Sequence, residues 1–389
     1  PKYRVNDDGS LGGSNDVQTG NIEHKMGIHG NSTCTLLFGE NGGCVGELFG
    51  KQCEGLKVMF QMMNEARLGV GMQALGVASA SYERALQYAK ERIQSVPVWE
   101  MKNPEAKSVA IIEHPDVRRD LMWMKSRVEA FRALLLYTSL CLDLAESTED
   151  KAEHDKWFGM AELLIPVCKA WVSDNAMNVC SKGMDVLGGY GFCAEYPLEQ
   201  YMRDCKITTI YEGTNGIQSL DLVGRKLGSK KGANIMNLAG DILGTIGKAK
   251  ENEELKKYAA FLEEAGNAVM DLALTFGQLG KSASFMLPIL NASVFMDIFG
   301  DVVAGHFLMQ AALIADEKVN VICKAKGADS IGKRRALVHS DKDVAFYEGK
   351  IASAKFFAQE ALSTVKARCE AVKFGDKTPI EIADESFSA

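Results

Sequence analysis

Tyr211-Glu212-Gly213-Thr214 sets a carboxylate beside a glycine, with helix-forming sequence resuming after the threonine. A carboxylate next to a helix N-cap is a candidate for proton transfer, and an ordinary loop carboxylate is the competing reading. Upstream, GGYG at 188–191 supplies a turn where backbone can approach a phosphate or ribose closely. Arg203-Asp204 reads more simply as an internal ion pair than as a catalyst. Arg67 lies on the apolar stripe of a long helix, between Met63 and Val70. A buried arginine must be paired or reach a bound anion, so a core salt bridge and a ligand contact are both open for it. Thr214 and Gln218 are four apart and would share a helix face, with Thr214 as the N-cap.

The elements that must position these residues are mostly helices. Phe60, Met63, Val70, Ala74, Val77, Ser81, Ala85 and Tyr88 recur mostly at three and four residues, predicting a helix over 56–93. Its middle, GVGMQALGVASA (69–80), consists largely of small side chains that permit close helix approach. A second long helix starts at Pro115 and runs to about Ser147. A third spans Lys156 to about Lys182, with a bend expected at Pro166. Shorter helices from Pro197 to about Lys206, and from Thr214 to about Leu227, complete a bundle over 51–230. GSKKGA (228–233) marks a boundary before a further helical domain at 231–389, with helices at about 234–248, 252–282, 290–325 and 341–374. Residues 1–50 carry short strand-like runs such as TCTLLF (33–38), too little sheet to bury a core alone. The expected fold class is mainly α, with a partial β-domain, a long-helix bundle and an additional helical domain.

Composition narrows the partners. The 389 residues are 47% hydrophobic and 24% charged, as in a soluble globular protein of two or three domains. A net charge of -7, without a basic and aromatic run, argues against a nucleic-acid partner. The longest apolar stretches, such as that around Leu134–Leu136, read as too short and interrupted to span a bilayer. The nearly apolar run at 295–319 is expected in the core, with Met296 and Met309 as filler. Ten scattered cysteines form no CxxC pair and read as small hydrophobes in a reducing, cytoplasmic setting. His24 and His29 lack a third ligand at metal spacing, so no metal site is expected. No signal peptide opens the chain, and Pro1 before a turn-like PKYRVNDDGS reads as a start inside a longer protein.

The joined motif MDVLGGYGFCAEYPLEQYMRDCKITTIYEGTNGIQSLDLVGRKL (184–227) resembles the C-terminal signature of acyl-CoA dehydrogenases. Those flavoenzymes introduce an α,β double bond into acyl-CoA thioesters. EHKMGIHGNSTCTLLF (23–38) is similar to the latter part of the family's middle β-domain. GLKVMFQMMNEARLGVGMQALG (55–76) is similar to the first helix of its C-terminal bundle, so the likeness covers roughly 1–230. Residues 234–389, with FFAQEALSTVKARCEAV near their end, resemble the extension of a larger subgroup. That subgroup includes enzymes for 3-methylthiopropionyl-CoA and other short-chain acyl-CoAs. The family's first helical domain and the first half of its β-domain have no counterpart in this sequence.

The resemblance implies FAD as cofactor and acyl-CoA as substrate. Glu212 matches the base that takes the α-proton while the β-hydride leaves to the flavin, giving trans-2-enoyl-CoA. Desolvation can bring a carboxylate's pKa toward that task. Other branches draw the base from the 56–93 helix, at the position held here by Ala66; Glu65 is a weak rival, turned by about 100°. Gly188, Gly189 and Gly191 match the loop that meets the flavin nucleotide of the neighbouring subunit, with Asp185 where many relatives carry Gln. Arg92 matches an arginine near the pyrophosphate, although SVP replaces the family's Phe-Gly after it; a solvated helix-end arginine is the alternative. Thr214 is implied near the flavin, Gln218 near the partner's nucleotide, and Tyr211 and Arg67 at the acyl-CoA site. A core aromatic is the equal alternative for Tyr211. A flavin held between subunits implies a homodimer or higher homo-oligomer, and reoxidation implies an electron-transfer flavoprotein as acceptor. An acyl-CoA oxidase on the same scaffold, or a non-catalytic helical scaffold or assembly module, stands as the alternative.

Overall fold

The computed structural model describes residues 1–388. They form two compact units that divide inside one helix, between Ala66 and Arg67. In the first unit β1 (Tyr3–Val5) pairs with β2 (Leu11–Ser14), and β3 (Val17–Ile22) with β4 (Cys34–Phe38), both antiparallel. A strand pair normally buries one face. Here Val5, Leu11, Ile22, Leu36 and Phe38 are exposed and Val17 is buried. The buried Asn15 side chain orders the unit instead, donating to the carbonyls of Pro1 and Val45 at 2.9 Å and accepting from the Val45 amide at 3.0 Å.

The second unit, from Arg67 onward, is helical. α1 (Gly55–Glu91) enters it, followed by α2 (Pro115–Ser147), α3 (Lys151–Leu187), α4 (Leu198–Lys206) and α5 (Asn215–Asp221). α3 starts earlier than its apolar period predicts because Asp150 caps it, accepting from the Ala152 amide at 2.7 Å. The helix continues through Pro166, and Leu163, Leu164, Val167, Cys168, Trp171 and Val172 are all buried. A helix apolar on every side belongs at the centre of a bundle, and α2, α4 and α5 pack on it. The small residues of α1 serve close approach: a Cβ at Gly71 would stand 2.5 Å from the Cys168 carbonyl oxygen and 2.8 Å from Leu135.

Beyond Gly228 the chain turns through Lys230 and Lys231, both at positive φ, into α6 (Ala233–Lys250). α7 (Lys256–Leu279), α8 (Met286–Leu290), α9 (Ala292–Ala325), α10 (Ile331–Leu337), α11 (Lys342–Phe357) and α12 (Ser363–Lys373) follow. The expected boundary near 230 does not separate two cores. Ile235, Phe295, Phe307 and Phe357 join Phe131, Leu164 and Trp171 in one buried cluster. α9 corrects the expectation about apolar length: its 34 residues reach a mean hydropathy of 1.6 over their most apolar stretch, enough to cross a membrane by length and composition. That stretch is 78% buried, under α2, α7 and α11 among others, as in the central helix of a bundle.

Gly71→Ala drives a methyl group into the α3 backbone, and overpacking of this kind costs about 1–3 kcal/mol. The expected result is a lower urea midpoint at unchanged slope; an unmoved midpoint would mean that α1 and α3 are free to separate.

Candidate active site

α4 passes into a 3-10 turn over Ile207–Thr209, where the Thr208 and Thr209 hydroxyls donate to the carbonyls of Cys205 and Lys206 at 2.6 and 2.9 Å. The chain then reaches Glu212, whose backbone is left-handed at φ 55, with Gly213 following at φ 86. Such a conformation is strained for a residue with a Cβ and persists only where neighbours over-determine it. The neighbours are Arg67 and Gln218: Arg67 Nε and Gln218 Nε2 both donate to the Glu212 carbonyl at 3.4 Å. A Cβ at Gly213 would come 2.8 Å from Gln218 Nε2, so a larger residue would meet the torsional strain and also displace the Gln218 amide from the Glu212 carbonyl. Thr214 then caps α5, its Oγ1 accepting from the Ile217 amide at 3.3 Å.

Arg67 is 5% exposed and pairs with the buried Asp221 at 3.5 Å. Arg225 closes the other Asp221 oxygen at 2.6 Å. Burial lowers the Arg67 pKa, and the Asp221 and Glu212 charges oppose that shift. The core ion pair that Arg67 was open to is present. Tyr211 is half-buried and donates its hydroxyl to Gln73 on α1; burial raises its pKa. Gln218 points inward with 0% exposure, and its Oε1 has no hydrogen-bond partner within the chain. Glu65, the rival base, is exposed.

Four residues of this site escaped sequence reasoning: Gln73, Lys169, Asn215 and Asp221. Lys169 lies on α3 with 0% exposure and donates from Nζ to Asn215 Oδ1 at 2.7 Å. Its pKa is pulled down to about 8, chiefly by burial, with Asp174 and Glu212 opposing and Arg67 adding to the shift. A signal for it exists in the sequence, a lone cation inside the apolar run LLIPVCKAWV.

A second group forms where α3 ends. Gly188 caps α3 at φ 60, and neither Gly188 nor Gly189 has an atom within 4 Å of where a Cβ would stand. Gly191 differs: it is buried, and a Cβ there would meet the Met184 carbonyl oxygen at 2.3 Å, so it packs the turn and offers no open face. Arg92, at the end of α1, places its guanidinium 5.7 Å over the Tyr190 ring. Tyr88 meets Tyr196 edge-on at 6.4 Å and Tyr190 packs tilted against it at 5.4 Å, which holds the two helix ends together. A helix C-terminus repels anions, and Arg92 is the cation that offsets it here. The two groups are far apart: Lys169 and Gly188 are separated by about 28 Å along α3 at 1.5 Å per residue.

The family model described as acyl-CoA dehydrogenase, C-terminal domain, matches residues 53–228. One described as acetyl-CoA dehydrogenase C-terminal like matches residues 238–383. A butyryl-CoA dehydrogenase of Syntrophomonas wolfei is 38% identical over 394 residues, covering 100% of this chain and 61% of the relative. The 3-methylmercaptopropionyl-CoA dehydrogenase of Ruegeria pomeroyi is 34% identical over 367 residues, covering 93% of this chain and 57% of that protein. Among solved structures, an acyl-CoA dehydrogenase of Bacillus anthracis complexed with FAD superposes with a TM-score of 0.68 at 21% identity, covering 95% of this chain and 58% of that one. The chain belongs to the acyl-CoA dehydrogenase family. It carries the further C-terminal helical segment, and it spans about 61% of the length of the Syntrophomonas relative.

Asp221→Ala strands the Arg67 guanidinium in the core, and breaking a buried pair in this way costs about 3 kcal/mol or more. Equilibrium urea unfolding measures it; a loss under about 0.5 kcal/mol would class the pair with surface ion pairs.

Proposed function

We propose that the whole protein is an FAD-dependent acyl-CoA dehydrogenase in which Glu212 removes the α-proton of a short-chain or methylthio-acyl thioester, yielding trans-2-enoyl-CoA. The observation that carries this reading is the Glu212 backbone, a carboxylate held left-handed by Arg67 and Gln218 at the start of a capped helix. Strain kept at one residue by two buried groups supports a functional reading of that residue. The butyryl-CoA and 3-methylmercaptopropionyl-CoA dehydrogenases among the relatives support the substrate class.

The flavin, when bound, supplies the acceptor for the β-hydride. Gly188 and Gly189 leave open backbone beside Arg92, which fits a nucleotide phosphate, and Thr214 keeps its hydroxyl proton free to donate while capping α5. Gly191 and Gln218 support the site from behind. Tyr211, anchored on Gln73, would form a wall beside the acyl-CoA, and Arg67 would act on the substrate only through the Glu212 backbone. The separation of about 28 Å between Lys169 and the glycine turn supports a homo-oligomer in which one subunit's turn serves the flavin beside another's base. An electron-transfer flavoprotein as acceptor and a cytoplasmic location belong to the same reading. Reoxidation by oxygen instead would assign an acyl-CoA oxidase.

Glu212→Gln in the flavin-loaded, full-length protein tests the base. The flavin spectrum should be retained and its reduction by butyryl-CoA slowed by about 10²–10⁴-fold in stopped-flow bleaching. Fast reduction by that variant would end the assignment, and a panel of acyl-CoAs in the same assay ranks the substrates.

A further inference from the structure

We propose that Lys169 is a positioning residue for Glu212: through Asn215 it ties the exit of the Glu212 loop to the rigid middle of α3. The inference rests on Glu212 being the base. Lysines are almost never fully buried unless paired with a carboxylate. Lys169 is fully buried, and its short contact is with a neutral amide, Asn215 Oδ1 at 2.7 Å, while the carboxylates of Asp174 and Glu212 act on it only through their charge. As packing alone this is unfavourable, since a methionine would fill similar space without burying an ammonium. The cation is therefore best understood by what it holds.

What it holds is tightly specified. Asn215 Nδ2 donates to the Ala170 carbonyl at 3.2 Å and to Ser173 Oγ at 2.9 Å. Its Oδ1 accepts from Lys169, with Ser173 Oγ at 3.3 Å as a further donor. One amide thus binds three residues within little more than one turn of α3. Turning it over would set its NH₂ against the ammonium, so Lys169 also selects the orientation. Asn215 follows the cap Thr214 and opens α5, three residues past Glu212. Arg67 and Gln218 hold the Glu212 carbonyl, and the Lys169–Asn215 link holds the segment that leaves it. The left-handed turn is in this way fastened to α1, α5 and α3. None of these contacts uses the Glu212 carboxylate, which stays available. A neutral lysine amine still donates, so the tether survives loss of the proton.

The test uses Lys169→Met in the full-length, flavin-loaded protein. Flavin content and KM for the acyl-CoA should stay near wild type, while the rate constant for flavin reduction falls by about ten-fold or more. Independently of activity, backbone amides in 211–218 should exchange hydrogen faster than in wild type, with the α3 amides unchanged. Wild-type reduction and exchange would overturn the proposal. So would loss of flavin or stability with the loaded fraction reducing at the normal rate, because that marks a scaffold residue. If Lys169→Met does not fold, Asn215→Ala removes the acceptor instead and must show the same split; normal rates and exchange there overturn the tether equally. Glu212→Gln beside these variants separates the two ideas. Fast reduction in Glu212→Gln defeats the base assignment and this proposal with it; a dead Glu212→Gln with a normal Lys169→Met defeats the tether alone.

Discussion

A guanidinium cannot stay in a protein core without partners, and Arg67 satisfies that constraint in a way the whole site depends on. Its charge is met by Asp221 on α5, and its Nε is spent on the carbonyl of Glu212. The helix that carries Arg67 is held in turn against α3 by the close approach at Gly71. A packing requirement on α1 thus becomes a positional requirement on a loop far away in sequence. The loop needs no rigidity of its own, because its torsions are dictated from two sides by buried groups.

Much of this arrangement was legible in the residues. The period of three and four along α1 and the Pro at the start of α2 placed those helices within a few residues, and Thr214 was readable as a cap. The small side chains at 69–80 announced a close approach without saying to what. What stayed hidden were relations that no local pattern encodes. The first turn of α3, KAEHD, has no apolar period, so only its cap reveals it. Gln218 turns inward to the Glu212 carbonyl, a contact that its place in the sequence does not announce. Lys169 was visible as an oddity in an apolar run, but its partner Asn215 lies on another element and neither residue names the other. The shared core of the two helical regions was masked for the same reason, since GSKKGA has the composition of a linker whether or not the helices on either side pack together.

The added helices are joined to the bundle through charge as well as apolar surface. Asp301 on α9 accepts from Trp171 of α3 at 3.2 Å and from Arg368 of α12 at 2.7 Å. Arg127 of α2 stacks 3.6 Å over Trp123 and reaches Glu360 at 2.9 Å. Burial pushes Asp301 up to about 6, while Arg368 and Arg127 pull it back. Buried pairs of this kind add little net stability. Their geometry admits few alternatives, which suits a junction where several apolar helices could otherwise slide past one another.

The left-handed backbone at Glu212 sets stability and chemistry against each other. An L-residue in that conformation stores about 1–2 kcal/mol, and a glycine in its place would release most of it. The loop would become more stable by losing its carboxylate. A library sorted only by survival at high temperature would accordingly drift toward glycine at 212, gaining heat resistance as it discards the proposed base. Thermostabilisation of this scaffold is safer at positions where no torsional strain is held in reserve, with Glu212 kept constant by design.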